Sequence, residues 1–157
     1  MVKTEKMEEE KKRKKKKSIF VEGPISSDFI SVKIKNHQSK TRIGAHDIFL
    51  GQVRKDEIDG HFVEAIEYTA YQEMAEEAIH TIRESTFDKF EIQCMHIYHS
   101  LGVVKTGEIC LFVFVSSNRR KVAFEAAEYV VEEIKEKVPI FGKELLSNQT
   151  HTWKVNT

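Results

Sequence analysis

Residues 107–144, GEICLFVFVSSNRRKVAFEAAEYVVEEIKEKVPIFGKE, decide the fold. The unbroken apolar run from Ile109 to Val115 predicts a strand buried on both faces. Ser116, Ser117 and Asn118 then form a polar turn, and Asn118 or either serine can cap a helix by accepting from a first-turn amide. The helix runs on to a stop at Pro139, with Ala123, Ala127, Val130 and Ile134 on one apolar stripe. It opens on Arg119, Arg120 and Lys121, where a helix already carries partial positive charge and unpaired N–H groups. Two arginines there suit an anion, phosphate above all. The alternative is that both reach into solvent or pair with nearby glutamates. At the far end Lys135 lies beside the apolar stripe. Its stem can rest on the core while its amine enters a cleft as base or nucleophile, or it is a surface lysine paired with Glu132. The segment after it, Pro139 to Glu144, is apolar, contains Gly142 and adds Lys143.

The whole chain of 157 residues suits one domain with a sizeable core. Its 25 basic and 25 acidic residues balance, but residues 1–17 hold nine Lys/Arg against four Glu, net +5, which leaves −5 for the rest. Residues 1–17 are expected to be a disordered charged extension, and 18–157 the folded domain. An acidic body argues against a general nucleic-acid surface. Cys94 and Cys110 lie in strand-like runs without a CxxC partner or metal-ligand spacing, which suggests two buried thiols in a cytoplasmic protein. No apolar run is long enough for a membrane span, and the basic run is followed by too short an apolar stretch for a signal peptide.

Working outward, Phe20 to Gly23 suggests a short strand. Ser26-Ser27-Asp28 starts a helix with Phe29, Val32 and Ile25 facing inward, and His37 to Thr41 is a polar break. Ala45 to Arg54 reads as a strand ending in Gly51-Gln52-Val53-Arg54, with Arg54 at its mouth. Asp59-Gly60 signals a turn into a return strand, Phe62 to Tyr71, with Glu64, Ile66 and Tyr68 on one face. A helix follows over Gln72 to Phe87, with Met74, Ala78, Ile79 and Ile82 as its stripe. Glu91 to His99 is a third strand, broken at Leu101-Gly102. His96 and His99 are read as hydrogen-bonded strand histidines rather than ligands, so no residue is assigned to a metal. The C-terminal HTWKVN suggests an edge strand, with Trp153 packing on the body. This order predicts an α+β domain with a mostly antiparallel sheet and helices on one side. No Gly-rich phosphate loop, GxSxG, HExxH or catalytic carboxylate pair occurs. The residues alone leave a candidate anion site built from Arg54, Arg119, Arg120, Lys135 and Lys143, and no reaction.

GQVR (51–54), EYTAYQEMAEEA (67–78), YHSLG (98–102), SSNRRKVAFEA (116–126) and IKEKVPIFGKE (134–144) occur in an order and spacing that resembles the large, catalytic subunit of molybdopterin synthase. The resemblance runs from about residue 19 to the end. It implies an α/β hammerhead-type fold and a homodimer of large subunits. Each end of the dimer binds a small ubiquitin-like sulfur-carrier subunit, giving a heterotetramer. The carrier's C-terminal glycine thiocarboxylate enters the large subunit and donates sulfur to cyclic pyranopterin monophosphate, forming the dithiolene of molybdopterin, a step of molybdenum cofactor biosynthesis. It implies no cofactor, no membrane and no nucleic acid.

By the same resemblance, Lys135 matches the essential lysine before the proline. Gln52, Val53, Arg54, Arg119, Arg120, Gly142 and Glu144 fall at substrate-binding positions. Gln52 stands where a lysine is common, Arg119 where a histidine is usual, and Ser100 where an arginine is usual. Gly142 stands where the family usually has a second active-site lysine, and Lys143, turned inward by the flexible Phe141-Gly142 link, is expected to replace it as a catalytic group. Two rival readings are a catalytically degenerate, carrier-binding homologue and a non-enzymatic module whose basic tail and arginines hold anions or nucleic acid.

Overall fold

In the computed structural model, which describes Lys3 and residues 18–156, the elements are β1 (Phe20–Glu22), α1 (Ser27–Lys35), β2 (Ala45–Gln52), β3 (Glu57–Ile58), β4 (His61–Ala70), α2 (Gln72–Lys89), β5 (Ile92–Lys105), β6 (Ile109–Ser117), α3 (Arg120–Lys137), β7 (Ile140–Leu146) and β8 (His151–Trp153). The expectation of a disordered extension falls on residues 1–17, which apart from Lys3 lie outside the described residues.

The sheet order is β2-β6-β5-β4-β7-β8, with β3 on β4 and β1 on β5. Only β1–β5 is parallel among these pairs. The α+β class with a mostly antiparallel sheet is therefore as predicted. The apolar run sits at its heart, for Cys110 to Ser117 are all buried between β2 and β5. Alternation divides these side chains between two faces. Leu111, Val113 and Val115 join Ala75, Ile79 and Ile82 of α2 and Ala126, Ala127, Val130 and Ile134 of α3 in the main core. Phe112 and Phe114 pack with Ile25 and Ile30 on the opposite face. The helices thus cover both faces, not one: α1 lies across from α2 and α3.

Several local expectations change for identifiable reasons. β2 and β4 are not partners; β2 pairs with β6, whereas β4 pairs with β5 and β7. The Asp59-Gly60 turn, with φ of 51° and 79°, joins β4 only to the two-residue β3. A bulge between Val63 and Ala65 moves Glu64 off the face of Ile66 and Tyr68 and out to solvent. Strand β5 does not break at Leu101-Gly102. It continues to Lys105 because Gly102, at φ +82°, takes a left-handed kink where the strand passes from β6 to β4. Met74 and Val32 are exposed, and Ala75, Thr86 and Ile30 hold the inward positions. Trp153 is also exposed, although β8 forms as an edge strand.

Ser26 caps α1 by accepting from the Phe29 amide at 3.1 Å. The cap expected at Asn118, Ser116 or Ser117 is absent: Arg119 is the N-cap of α3 with no side-chain bond, Asn118 pairs with Gln93, and the two serines bond His46 and the Glu91 carbonyl. No helix among the described residues is long and apolar enough to cross a membrane.

Candidate active site

Helix α3 and strand β7 meet at the proline stop, and a cavity of about 440 Å³ opens beside the junction. Lys135 lies in the last turn of α3, one residue past the buried Ile134, so its backbone is fixed while its side chain is exposed. Asn156 donates to the Lys135 carbonyl at 3.3 Å and ties the C-terminal segment to that turn. Tyr68, His99, Phe141, Gly142 and Lys154 complete the working wall of the cavity.

The floor is neutral. His99 is buried and donates from Nδ1 to the Ser100 carbonyl at 2.8 Å, which leaves the lone pair on Nε2. Burial, reinforced by the charge of Lys135, lowers its pKa to about 4 despite the opposing effect of that hydrogen bond. The Tyr68 ring meets His99 edge-on at 4.9 Å, and burial, then Cys110, pushes the phenol's pKa up. Lysine amines beside neutral His99 and Tyr68 favour a bound carboxylate or its sulfur analogue, because burial of these two side chains lowers the local dielectric and strengthens the attraction.

The predicted residues divide into separate groups. Lys135 and Gly142 line the cavity, and Glu144 is buried on the same face of β7, opposite Ile66. Lys143 does not join them. It pairs in register with Glu67, and its Nζ lies 3.8 Å from Glu67 Oε1, on the strand face turned away from Gly142. The supposed flexible link is regular strand held between β4 and β8, so the inward turn expected of Lys143 does not occur. Val53 is 2% exposed and anchors the end of β2 through its amide bond to the Glu108 carbonyl at 3.0 Å. Gln52 and Arg54 are exposed there, and Arg54 pairs with Asp56 at 3.2 Å.

Arg119 and Arg120 are exposed at the opposite end of α3. The helix separates Arg120 from Lys135 by about 22 Å at 1.5 Å per residue. Among the described residues neither arginine has an ion-pair partner, and no acidic residue occupies the first turn. The anion-site reading of this helix start fits the geometry, yet one chain does not bring it to Lys135.

Sequence reasoning missed Lys154. Its amide donates to the Gly142 carbonyl at 2.8 Å, and the residue lines the cavity with Lys135. The pairing of β8 on β7 places it there, a long-range contact announced only by the short alternation HTWKV. His99 and Tyr68 were read as strand residues, and nothing local marked them as a cavity floor.

The MoaE protein family model matches residues 24–137. The molybdopterin synthase catalytic subunit of Aspergillus fumigatus is 37% identical over 120 residues, covering 76% of this chain and 63% of the relative. That of Pyrococcus abyssi is 40% identical over 107 residues, covering 68% and 72%. The human one is 34% identical over 113 residues, covering 72% and 59%. The chain thus spans less than two thirds of the Aspergillus and human relatives. Among solved structures, Staphylococcus aureus molybdopterin synthase superposes with a TM-score of 0.76 at 32% identity, over 87% of this chain and 95% of that one. A Helicobacter pylori complex of subunits 1 and 2 of molybdopterin-converting factor shares the fold, with a TM-score of 0.72 at 20% identity over 85% and 87% of the two chains. With the family model and relatives above 30% identity both matching most of its length, the chain belongs to the MoaE protein family.

Proposed function

We propose that the protein is the catalytic subunit of a molybdopterin synthase, working in the cytoplasm. It moves sulfur from the C-terminal thiocarboxylate of a small ubiquitin-like carrier to cyclic pyranopterin monophosphate. The observation that carries this reading is the cavity at the end of α3, where Lys135 and Lys154 stand over neutral His99 and Tyr68. A carrier tail ending in a thiocarboxylate is an anion on an extended peptide, and both properties match an amine-lined cavity bordered by a strand. Exposed Phe141 and Trp153 line this cavity, and Tyr71 stacks edge-on against Phe141 at 5.4 Å, which provides an apolar rim for a protein partner.

Sulfur arrives with the carrier in this reaction, so the chain needs no nucleophilic cysteine. Both of its thiols are buried, in keeping with that. The thiocarboxylate sulfur forms a C–S bond to a side-chain carbon of the pterin as the C–O bond on that carbon breaks, its oxygen leaving on the phosphate or, with a proton, as water. The acyl–sulfur bond is then cleaved by water, directly or after the acyl group passes to the Lys135 amine, leaving a carrier carboxylate and a substrate thiol. Lys135 assists that transfer, either as acid/base or as a transient acyl acceptor. The substrate phosphate binds at Arg119 and Arg120, where uncapped first-turn amides add their own attraction. Since one chain holds these arginines far from Lys135, a homodimer that lays the start of one α3 beside the cavity of its partner completes the site. Turnover of cyclic pyranopterin monophosphate with thiocarboxylated carrier tests the reading. Product formation by the wild type and its loss in Lys135→Ala are expected, and an inactive wild type with a competent carrier overturns it.

A further inference from the structure

On the sheet face opposite the Lys135 cavity, three side chains that sulfur transfer does not use converge. Cys94 and His96 stand two residues apart on β5 and therefore point to the same face. His37 reaches them from the turn after α1, and it is only 6% exposed although its sequence neighbours are polar. The donor atoms of His37, Cys94 and His96 lie within 4.8 Å of one another.

The two imidazoles are already arranged around a shared point. His37 donates from Nδ1 to the Lys33 carbonyl at 2.7 Å, so its Nε2 carries the lone pair. That Nε2 lies 2.9 Å from His96 Nε2, and one proton is shared between them. Fixing one ring nitrogen on a carbonyl so that the other presents its lone pair is how metal-binding histidines are oriented. The Phe114 ring, 4.7 Å from His37, forms an apolar floor. Lys40 Nζ donates to Cys94 Sγ at 2.9 Å and can keep that bond to a metal-bound thiolate. A cleft lined by Lys40, Arg42, Gln93 and Cys94 connects the sulfur to solvent and provides an entry path.

We propose that His37, Cys94 and His96 form a binding site for a thiophilic d10 metal ion, Cu+ or Zn2+, separate from the sulfur-transfer cavity. Two imidazole nitrogens and one thiolate are a donor set that both ions accept. Metal–nitrogen bonds near 2.0 Å and metal–sulfur bonds near 2.3 Å require donor separations of about 3.3–3.7 Å. Small side-chain rotations bring the triangle to that size, opening the 2.9 Å gap between the rings and drawing the sulfur in. The proton between the rings moves to His96 Nδ1, so that both Nε2 lone pairs face the ion. Lys33, Lys40 and Arg83 surround His96 with positive charge. Cu+ with one thiolate makes a neutral, three-coordinate site and is favoured there over Zn2+, which brings an additional charge and a fourth ligand. A bound ion would pin the turn after α1 to the sheet.

The test titrates the full-length, reduced, chelator-stripped protein with Cu+ under anaerobic conditions, and separately with Zn2+, each in competition with a chromophoric chelator. Co2+ serves as the spectroscopic probe. One equivalent of Cu+ or Zn2+ is expected to bind and raise the melting temperature, with a thiolate-to-cobalt charge-transfer band in the Co2+ form. Cys94→Ser should abolish that band and weaken binding by more than about 100-fold, beyond the cost of losing an orienting partner alone. His96→Gln should weaken it at least about 10-fold, and Cys110→Ser should leave it unchanged. Failure of both ions to bind stoichiometrically, or binding by Cys94→Ser equal to wild type, overturns the proposal. Should buried Cys94 prove necessary for folding, the wild-type cobalt band and the half-buried His96 still decide it: no band, or unchanged binding by His96→Gln, overturns the site.

Discussion

Lys154 lies across Gly142. Its amide bonds to the Gly142 carbonyl at 2.8 Å, and its Cβ stands 3.6 Å from the point a Cβ on residue 142 would occupy. That same point lies 3.0 Å from Ile66 Cγ2 and 3.2 Å from Tyr68 Cε1, tighter than ordinary packing. The missing side chain at 142 thus makes room for Ile66 and Tyr68, while Lys154, at ordinary contact distance, shares the cavity with Lys135. The second amine at this wall comes from β8, not from the residue next along β7.

Lys154→Ala is therefore expected to lower turnover by roughly 10-fold or more, the scale of one lost charge-assisted bond to a carrier carboxylate. Lys143→Ala should stay near wild type, because that amine faces Glu67. Gly142→Lys should lose stability by roughly 1–3 kcal/mol, the scale of overpacking. Steady-state rates and melting curves of the three variants check this. A Lys143→Ala enzyme as impaired as Lys154→Ala would restore Lys143 to the mechanism.

Lys135→Ala should reduce turnover by about 10²-fold or more, as expected for a lost acid/base group. Its side chain is exposed, so truncation opens no core cavity and the melting temperature should hold. Parallel rate and unfolding measurements separate this from a folding defect.

How far the sequence could be read depended on the range of the forces involved. Helix α3 and strand β6 were legible because burial imposes periods of 3.6 and 2 on neighbouring residues. Lys135 was legible for the same reason, as a polar residue beside an apolar stripe. Pairing was not. The Asp59-Gly60 turn was found, but whether β4 returned along β2 or ran between β5 and β7 depends on contacts far apart in sequence. The inward turn expected of Lys143 failed on alternation: once β7 is strand, adjacent side chains must face opposite ways. His37 read as part of a polar break because only the folded chain shows that it is buried against His96.

The buried, neutral His99 predicts acid sensitivity. An unfolded histidine titrates near 6.5, whereas burial and Lys135 hold the native one at about 4. Protons therefore bind the unfolded chain preferentially between these values. The contribution of His99 is complete above pH 6.5 and is lost as the pH falls towards 4, an order-of-magnitude effect of about 3 kcal/mol. His96, also lowered to about 4 chiefly by burial, acts with the same sign. Melting temperatures of wild type and His99→Asn, measured from pH 7.5 to 4, should converge at the acid end. A parallel pair of curves would show that His99 does not titrate in this window.

The separation of Arg120 from Lys135 along α3 gives the last prediction. If the phosphate-binding arginines of one protomer serve the cavity of the other, the Arg119→Ala/Arg120→Ala double variant should raise KM for the pterin substrate by roughly 10–100-fold, the cost of lost charge-assisted bonds. The helix start is solvent-exposed, so folding should be unaffected. Mixing this variant with Lys135→Ala then distinguishes a shared site from a self-contained one. In a hybrid dimer, one cavity draws an intact Lys135 from the first chain and intact arginines from the second. With half of the dimers hybrid and one of their two sites complete, re-associated mixtures should regain up to about a quarter of wild-type activity. A self-contained site leaves every chain defective, and mixtures that stay at the level of the separate variants would place substrate phosphate elsewhere, with Arg54 at the end of β2 the next residue to substitute.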